Sequence, residues 1–87
     1  MTQQQQQKEQ TLELSNNLKE KIKHTCRLVS KTKKRCILCS DTFLEENISA
    51  SLTEDTLKHL GNLISTPKQT YRITLDSTSA YISLVSN

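Results

Sequence analysis

Four side chains that can bind zinc lie close together in the sequence. His24 and Cys26 are two positions apart, and Cys36 and Cys39 are three positions apart. A structural zinc ion takes about four thiolate or imidazole ligands in a tetrahedron. By residue type alone, these four side chains form a complete ligand set.

The elements expected to carry these residues hold them apart. Successive side chains on a strand point to opposite faces, so a strand at 36–39 separates Cys36 from Cys39. Residues two apart on a helix point about 200° apart, which separates His24 from Cys26. Free cysteine behaves as a small buried hydrophobe. We therefore expect three core cysteines and no metal or other cofactor, and we keep the zinc set as the less favoured alternative.

A catalytic thiol is also poorly supported. Cys36 or Cys39 could act as a nucleophile with His24 or His59 only if the two side chains met in space. No spacing in the sequence brings them together, and a single glycine, Gly61, cannot build a phosphate-binding loop. We expect a protein without enzymatic activity and without catalytic residues.

Composition limits the size of the core. The opening "MTQQQQQKEQ", residues 1–10, has no large apolar side chain after Met1, so it predicts a disordered Gln-rich tail followed by one domain over 11–87. The aromatic side chains are Phe43, Tyr71 and Tyr81. A domain this small with a mainly aliphatic core is marginal alone, so we expect it to need a disulfide, a metal or a partner protein.

The sequence also bears on location. It contains no apolar run long enough for a secretory signal or a membrane span. Its three cysteines, an odd number, argue against a secreted disulfide scaffold. We expect a cytoplasmic protein that meets a membrane only through partners.

Charge is unevenly distributed. Residues 19–35 carry eight basic side chains and one acidic side chain, whereas residues 36–87 carry three basic and six acidic ones. A basic stretch can meet nucleic acid or an anionic lipid surface, although a solvated helix face is the simpler interpretation. No aromatic side chain lies in the stretch to stack on bases, so we expect no specific nucleic-acid binding.

The first half of the chain predicts a helix and two strands. Apolar residues recur at steps of three and four from Leu14 to Val29, which indicates an amphipathic helix over about 11–30; "SKTKK" then predicts a loop. Four consecutive apolar residues, 36–39, suit a strand buried on both faces and ending in a turn at Asp41. Alternation in "ENISASL", residues 46–52, predicts a shorter second strand.

The second half predicts a helix and a hairpin. Ser51 and Thr53 are candidate N-caps, with a possible capping box from Ser51 to Glu54, and Pro67 lies beyond the helix end. "TYRITLD" and "AYISLV" alternate with period two, and we expect a longer type I loop started by Asp76 between them. The fold class is α+β, a small antiparallel sheet with two helices in the order helix-strand-strand-helix-strand-strand.

This order resembles the roadblock (dynein light chain 7) family, most closely its small hepatitis B X-interacting-protein-like members in the Ragulator and EGO scaffolds. Those subunits carry an aliphatic-aliphatic-Cys-Ser/Thr-Asp first-strand motif, here "ILCSD", and a Ser/Thr-Leu-Ser/Thr-acid-acid helix entry, here "SLTED". An aliphatic hairpin follows, here "YRITLDSTSAYISLV". The chain departs from the family pattern in having "TFLEEN" where a glycine-containing turn is common.

The resemblance implies a function in assembly. Members of the family pair through the central helix and the strand after it, and the pairs hold small GTPases at membranes such as the vacuolar or lysosomal one. It implies a non-enzymatic scaffold subunit in a hetero-oligomer with roadblock-type proteins; the alternative is a small zinc-binding or basic nucleic-acid-binding module. The implied partner interface comprises Leu57, Leu60, Gly61, Ile64, Tyr71, Arg72, Ile73, Thr74 and Leu75.

Overall fold

The computed structural model describes residues 12–85. The predicted tail at 1–10 therefore lies outside the described residues. The elements in chain order are α1 (Asn16–Thr32), β1 (Cys36–Ser40), α2 (Asp41–Glu46), α3 (Glu54–Ile64), β2 (Tyr71–Asp76) and β3 (Ser79–Leu84).

The three strands form one antiparallel sheet in the order β1-β3-β2. β2 and β3 are joined as a hairpin, and β1 adds to the other side of β3. This arrangement agrees with the predicted α+β class and small antiparallel sheet. It has three helices and three strands within 12–85, where two helices and four strands were expected.

One face of the sheet carries the core. Tyr71 and Ile73 of β2 and Ala80 and Ile82 of β3 alternate inward and are buried. Helix α1 packs against β1 and β3, and α3 packs against β2. The largest fully buried side chains are Leu18, Val29, Leu44, Leu60 and Ile82.

The other face of the sheet is open in the described part of the chain. Arg35 lies over the ring of Tyr81, with its guanidinium carbon 4.1 Å from the ring centroid. The same guanidinium is 3.1 Å from a carboxylate oxygen of Asp76. Both side chains of this ion pair are more than half exposed, so we expect the pair to contribute little to stability.

Strand β1 contains a bulge at Leu38. Cys36 pairs with Ile82 and Cys39 pairs with Ala80, so three positions on β1 span two on β3. Because directly opposed residues share a face, Cys36 and Cys39 both point to the buried side. The expectation that they diverge is wrong, and so is the prediction of burial on both faces, because Ile37 is 58% exposed.

Helix α1 begins and ends later than the periodicity indicated. The Ser15 side chain caps its start by accepting the N–H of Leu18. The helix continues to Thr32, three residues into the segment predicted as a loop, and Lys33 is its C-cap. Lys33 has a positive φ of 63° and donates its N–H to the carbonyl of Val29.

The prediction of a second strand at 46–52 is wrong. Ser40 caps a short helix, α2, by accepting the N–H of Phe43. Asp41 is in the first turn of that helix, where its charge suits the helix dipole. Of the alternating residues in "ENISASL", Ile48 makes an isolated bridge to Leu14, and no strand forms there.

Helix α3 lies close to its predicted position. Thr53 is the N-cap and accepts the N–H of Thr56. Ser51 lies outside the helix, so the proposed capping box from Ser51 to Glu54 is not the one used. The helix ends at Ile64, before Pro67, as the sequence indicated.

The hairpin turn is shorter than predicted. Asp76 pairs with Ser79, which leaves two residues, Ser77 and Thr78, as the connection. Ser77 has a φ of 61°. A positive φ at the first central position is what a II′ hairpin turn requires, and serine accepts it here without the glycine or asparagine that usually signals such a turn.

Candidate functional site: the edge groove between α3 and β2

The outer edge of β2 exposes backbone groups. Hydrogen-bonded and non-hydrogen-bonded pairs alternate along an antiparallel ladder, and the pair flanking a two-residue turn, Asp76 with Ser79, is hydrogen-bonded. Arg72 and Thr74 therefore bond to β3, whereas Tyr71, Ile73 and Leu75 direct their N–H and C=O groups away from it. The bond from Val85 N–H to the Thr70 carbonyl, 3.0 Å long, continues the same alternation.

Tyr71 already has a partner at this edge. Its N–H donates to the hydroxyl oxygen of Ser65, 2.8 Å away. That hydroxyl donates in turn to the carbonyl of Gly61, 2.7 Å away. The end of α3 thus covers the backbone of Tyr71. The N–H and C=O groups of Ile73 and Leu75 that point away from β3 have no strand beside them in the described part of the chain.

Gly61 sets the approach of α3 to this edge. A Cβ placed on Gly61 would lie 3.2 Å from the carbonyl oxygen of Tyr71 and 3.7 Å from the Cα of Arg72. Both are backbone atoms of β2, which cannot turn aside as a flexible side chain can. The absence of a side chain at Gly61 therefore allows the helix and the strand to pack in direct backbone contact.

Beside this contact an open groove of about 720 Å³ separates α3 from β2; we call it the edge groove. Its lining combines apolar side chains with charged and polar ones. It is lined by Glu54, Leu57, Lys58, Gly61, Asn62, Thr70, Tyr71, Arg72, Ile73, Thr74, Leu75 and Val85.

Most of the predicted interface residues line this groove, but several serve the core of the chain itself. Leu60, Gly61, Tyr71 and Ile73 are buried, and Leu57 and Ile64 are partly buried against the core. The accessible members are Arg72, Thr74 and Leu75, of which Leu75 is 38% exposed.

Sequence reasoning missed Ser65, which covers the strand, and five residues that line the groove: Glu54, Lys58, Asn62, Thr70 and Val85. Lys58 and Asn62 follow Glu54 and Leu57 on the side of α3 that bears Gly61. A helical wheel centred on that glycine would have found them. Ser65 has no comparable signal, since its role depends on where the chain returns after Pro67.

The zinc set is not assembled in the structure. Cys36 and Cys39 share a face, and Cys26 is half-buried on α1, but His24 is exposed on that helix. Within residues 12–85, no group of three or more His, Cys, Asp or Glu side chains is placed to hold a metal ion. Of the histidines proposed for a catalytic pair, His59 is also exposed, on α3.

The buried thiols and the phenol favour their neutral forms. Burial raises the pKa of Cys26, and it raises the pKa of Cys39 against an opposing effect of the Lys21 charge. Burial also raises the pKa of Tyr71, with a further rise from Cys26 and an opposing hydrogen bond with Ser30. These three groups behave as core side chains.

No helix within residues 12–85 has both the length and the apolar character needed to cross a membrane. Comparison of the chain with protein-family models, with curated proteins and with solved structures found no match.

Proposed function

We propose that this protein is a non-enzymatic scaffold subunit that pairs with another protein through the edge groove. The observation that carries the proposal is the outward backbone of Ile73 and Leu75 on β2, next to an open groove lined by both apolar and polar side chains. An added strand would bond to these groups and place its own side chains against α3. This is β-augmentation, in which main-chain bonds supply affinity and side-chain pockets supply specificity.

The physical character of the chain supports pairing. Leu75 is 38% exposed at the edge of β2, where it lines the groove together with Leu57. An unpaired strand edge beside apolar surface is a liability that proteins usually cover. A partner strand would remove this exposure and add to a small core.

The resemblance noted above suggests the class of partner. We propose that the partner is a roadblock-type protein and that the pair helps to hold a small GTPase complex at a membrane, such as the vacuolar or lysosomal one. The motifs "ILCSD" and "SLTED" and the hairpin after Pro67 support this finer assignment. In the structure they form the bulged strand β1, the start of α3 and the β2–β3 hairpin.

A proline at Leu75 tests the edge directly. The N–H of Leu75 points away from β3, so Leu75→Pro should remove an edge donor and leave the hairpin folded. Proline at Arg72 or Thr74 would remove a donor to β3 and break the protein's own ladder, so it would not separate pairing from folding. The measurement is affinity purification from the source cell with mass spectrometry, alongside the melting temperature of each variant.

We expect Leu75→Pro to lose the proteins that co-purify with the wild type, and Leu75→Val, which retains the donor, to keep them. Asn62→Arg should also lose them by filling the groove, whereas His59→Arg, exposed on α3 outside the groove, should not. If folded Leu75→Pro and Asn62→Arg both retain every partner, the interface is wrong. Roadblock-type proteins and Ras-like GTPases among the partners support the finer assignment, and nucleic-acid machinery contradicts it.

A further inference from the structure

The outer side of α1 carries a row of cations. Four basic residues recur at intervals of four on the exposed side of the helix; they extend about 18 Å along the axis at 1.5 Å per residue and spread over about 120° around it at 100° per residue. We call this row the basic ridge. It consists of Lys19, Lys23, Arg27 and Lys31.

The basic ridge is not neutralised by the described part of the chain. Within residues 12–85 the ion pair found joins Arg35 and Asp76, and the ridge cations pair with none of the described carboxylates. Lys33 and Lys34 extend the positive charge past the end of the helix and are also exposed. Clusters of four to eight basic side chains are typical of surfaces that bind anionic lipid.

Lys33 gives a second, independent indication. It occupies the left-handed position after α1, with φ 63° and ψ 20°. Glycine or asparagine is the usual residue there, because a Cβ is disfavoured in this conformation. The chain therefore keeps a cation at a position where glycine would fit the backbone better.

We propose that the basic ridge docks directly on an anionic membrane surface, with α1 parallel to the bilayer and its cations among the lipid headgroups. The apolar side of α1 is in the core, where Leu18, Ile22 and Val29 are buried. The helix therefore cannot insert an apolar face, and the contact is electrostatic. Residues 36–85 carry three basic and six acidic side chains. A negative surface therefore attracts α1 and repels the rest of the domain, which orients the molecule with the ridge toward that surface.

A membrane fits the ridge better than nucleic acid does. A helix lying along a plane presents one side to it, and the ridge positions fall within about 120° on that side. The long lysine and arginine side chains extend their charged ends from this arc toward the headgroups. Single strands are held in positively charged grooves lined with stacking aromatics, whereas this surface is convex. The three aromatic side chains, Phe43, Tyr71 and Tyr81, all lie outside α1.

Membrane docking leaves the edge groove available. α1 covers β1 and β3, whereas the groove lies between α3 and the outer edge of β2. The same molecule can therefore contact a membrane with α1 and a partner with β2. This proposal does not rest on the pairing function, and it departs from the expectation that the protein meets a membrane only through partners.

Sedimentation of the full-length chain with lipid vesicles tests the proposal. We expect binding to vesicles of phosphatidylcholine and phosphatidylserine at about 0.15 M salt, weaker binding at higher salt, and none to phosphatidylcholine alone. Each ridge charge should contribute about fivefold, so Lys23→Gln with Arg27→Gln should weaken binding about 25-fold. Lys21→Gln with Lys68→Gln removes the same charge away from the ridge and should have a much smaller effect.

Lys33→Gly separates binding from folding. It relieves the left-handed backbone and removes one charge, so the melting temperature should stay the same or rise while vesicle binding falls about fivefold. Equal losses in the two double variants, or no vesicle binding by the wild type, would overturn the proposal. Tighter binding to duplex DNA or RNA than to the vesicles at the same salt would overturn it in favour of a nucleic-acid surface.

Discussion

The hydroxyl of Ser65 lies 2.8 Å from the backbone nitrogen of Tyr71 and accepts its N–H. Ser65 follows the last residue of α3, and Tyr71 is the first residue of β2. One side chain therefore joins the end of the helix to the outer edge of the sheet. It also fixes where the free edge begins, at Ile73.

Removing this hydroxyl should destabilise the fold. Ser65→Ala leaves the N–H of Tyr71 without its acceptor in a partly buried place, which costs about 1–3 kcal/mol. For a domain of this size each kcal/mol lowers the melting temperature by about 4–8 °C. Thermal melting measures the loss. Ser51→Ala, at an exposed position before the N-cap of α3, should change the melting temperature little. Equal effects of the two substitutions would contradict the role assigned to Ser65.

A side chain at Gly61 should not give the stability that helix propensity predicts. Alanine inside a helix is about 1 kcal/mol better than glycine, but its Cβ would lie 3.2 Å from the carbonyl oxygen of Tyr71. We expect Gly61→Ala to melt no higher than the wild type and Gly61→Val to melt lower. Asn62→Ala, exposed on the same helix, should raise the melting temperature slightly. A larger rise in melting temperature from Gly61→Ala than from Asn62→Ala would show that α3 and the backbone of β2 are not in close contact at Gly61.

Stability should fall in alkaline solution. Burial raises the pKa of Cys26, Cys39 and Tyr71 in the folded state, so the folded chain holds protons that the unfolded chain has released. The stabilisation is complete below the unfolded pKa, about 8.5 for cysteine, and is lost as pH rises toward the folded value. Urea unfolding between about pH 7 and pH 10 measures this decline. It should be shallower in Cys39→Ala, and stability that rises with pH in this range would contradict the assignment.

The purified protein should carry no stoichiometric zinc. Cys36 and Cys39 share a face, but His24 is exposed on α1, and burial raises the pKa of the Cys26 and Cys39 thiols. We expect elemental analysis to find no zinc and a chelator to leave the melting temperature unchanged. About one zinc per chain, lost together with the fold on chelation, would restore the alternative of a zinc-binding module.

Periodicity was sufficient to predict α1, α3 and the β2–β3 hairpin within a few residues. Their apolar side chains repeat at the spacing of the face that each element buries, as with Leu18, Ile22 and Val29 on α1. The expectation that α3 and β2 would border one interface came instead from the resemblance to the roadblock family. Which of the interface residues are buried in the core of the chain and which are accessible depends on packing, so only the structure could distinguish them.

The failures share a physical cause. At the start of α2, the N–H of Asp41 donates to the carbonyl of Thr78 in the hairpin turn, 2.8 Å away, while Ser40 caps the first turn. The bulge at Leu38 depends on the partner strand, 40 or more positions later, and not on local preference. Ile48 alternates with its neighbours as a strand residue would, yet it is used in a bridge to Leu14. In each case a contact with another segment decided the outcome.

The position of β3 between β1 and β2 also governs when the sheet can form. Neither outer strand has a neighbour until β3 exists, although β1 is made some 40 residues earlier. The β2–β3 hairpin closes a two-residue turn and pairs locally, whereas docking of β1 must close a long loop at greater entropic cost. On a ribosome, the nascent chain would expose β1 until β3 emerged. The sheet can therefore assemble only after that point, with the hairpin formed first and β1 added to it.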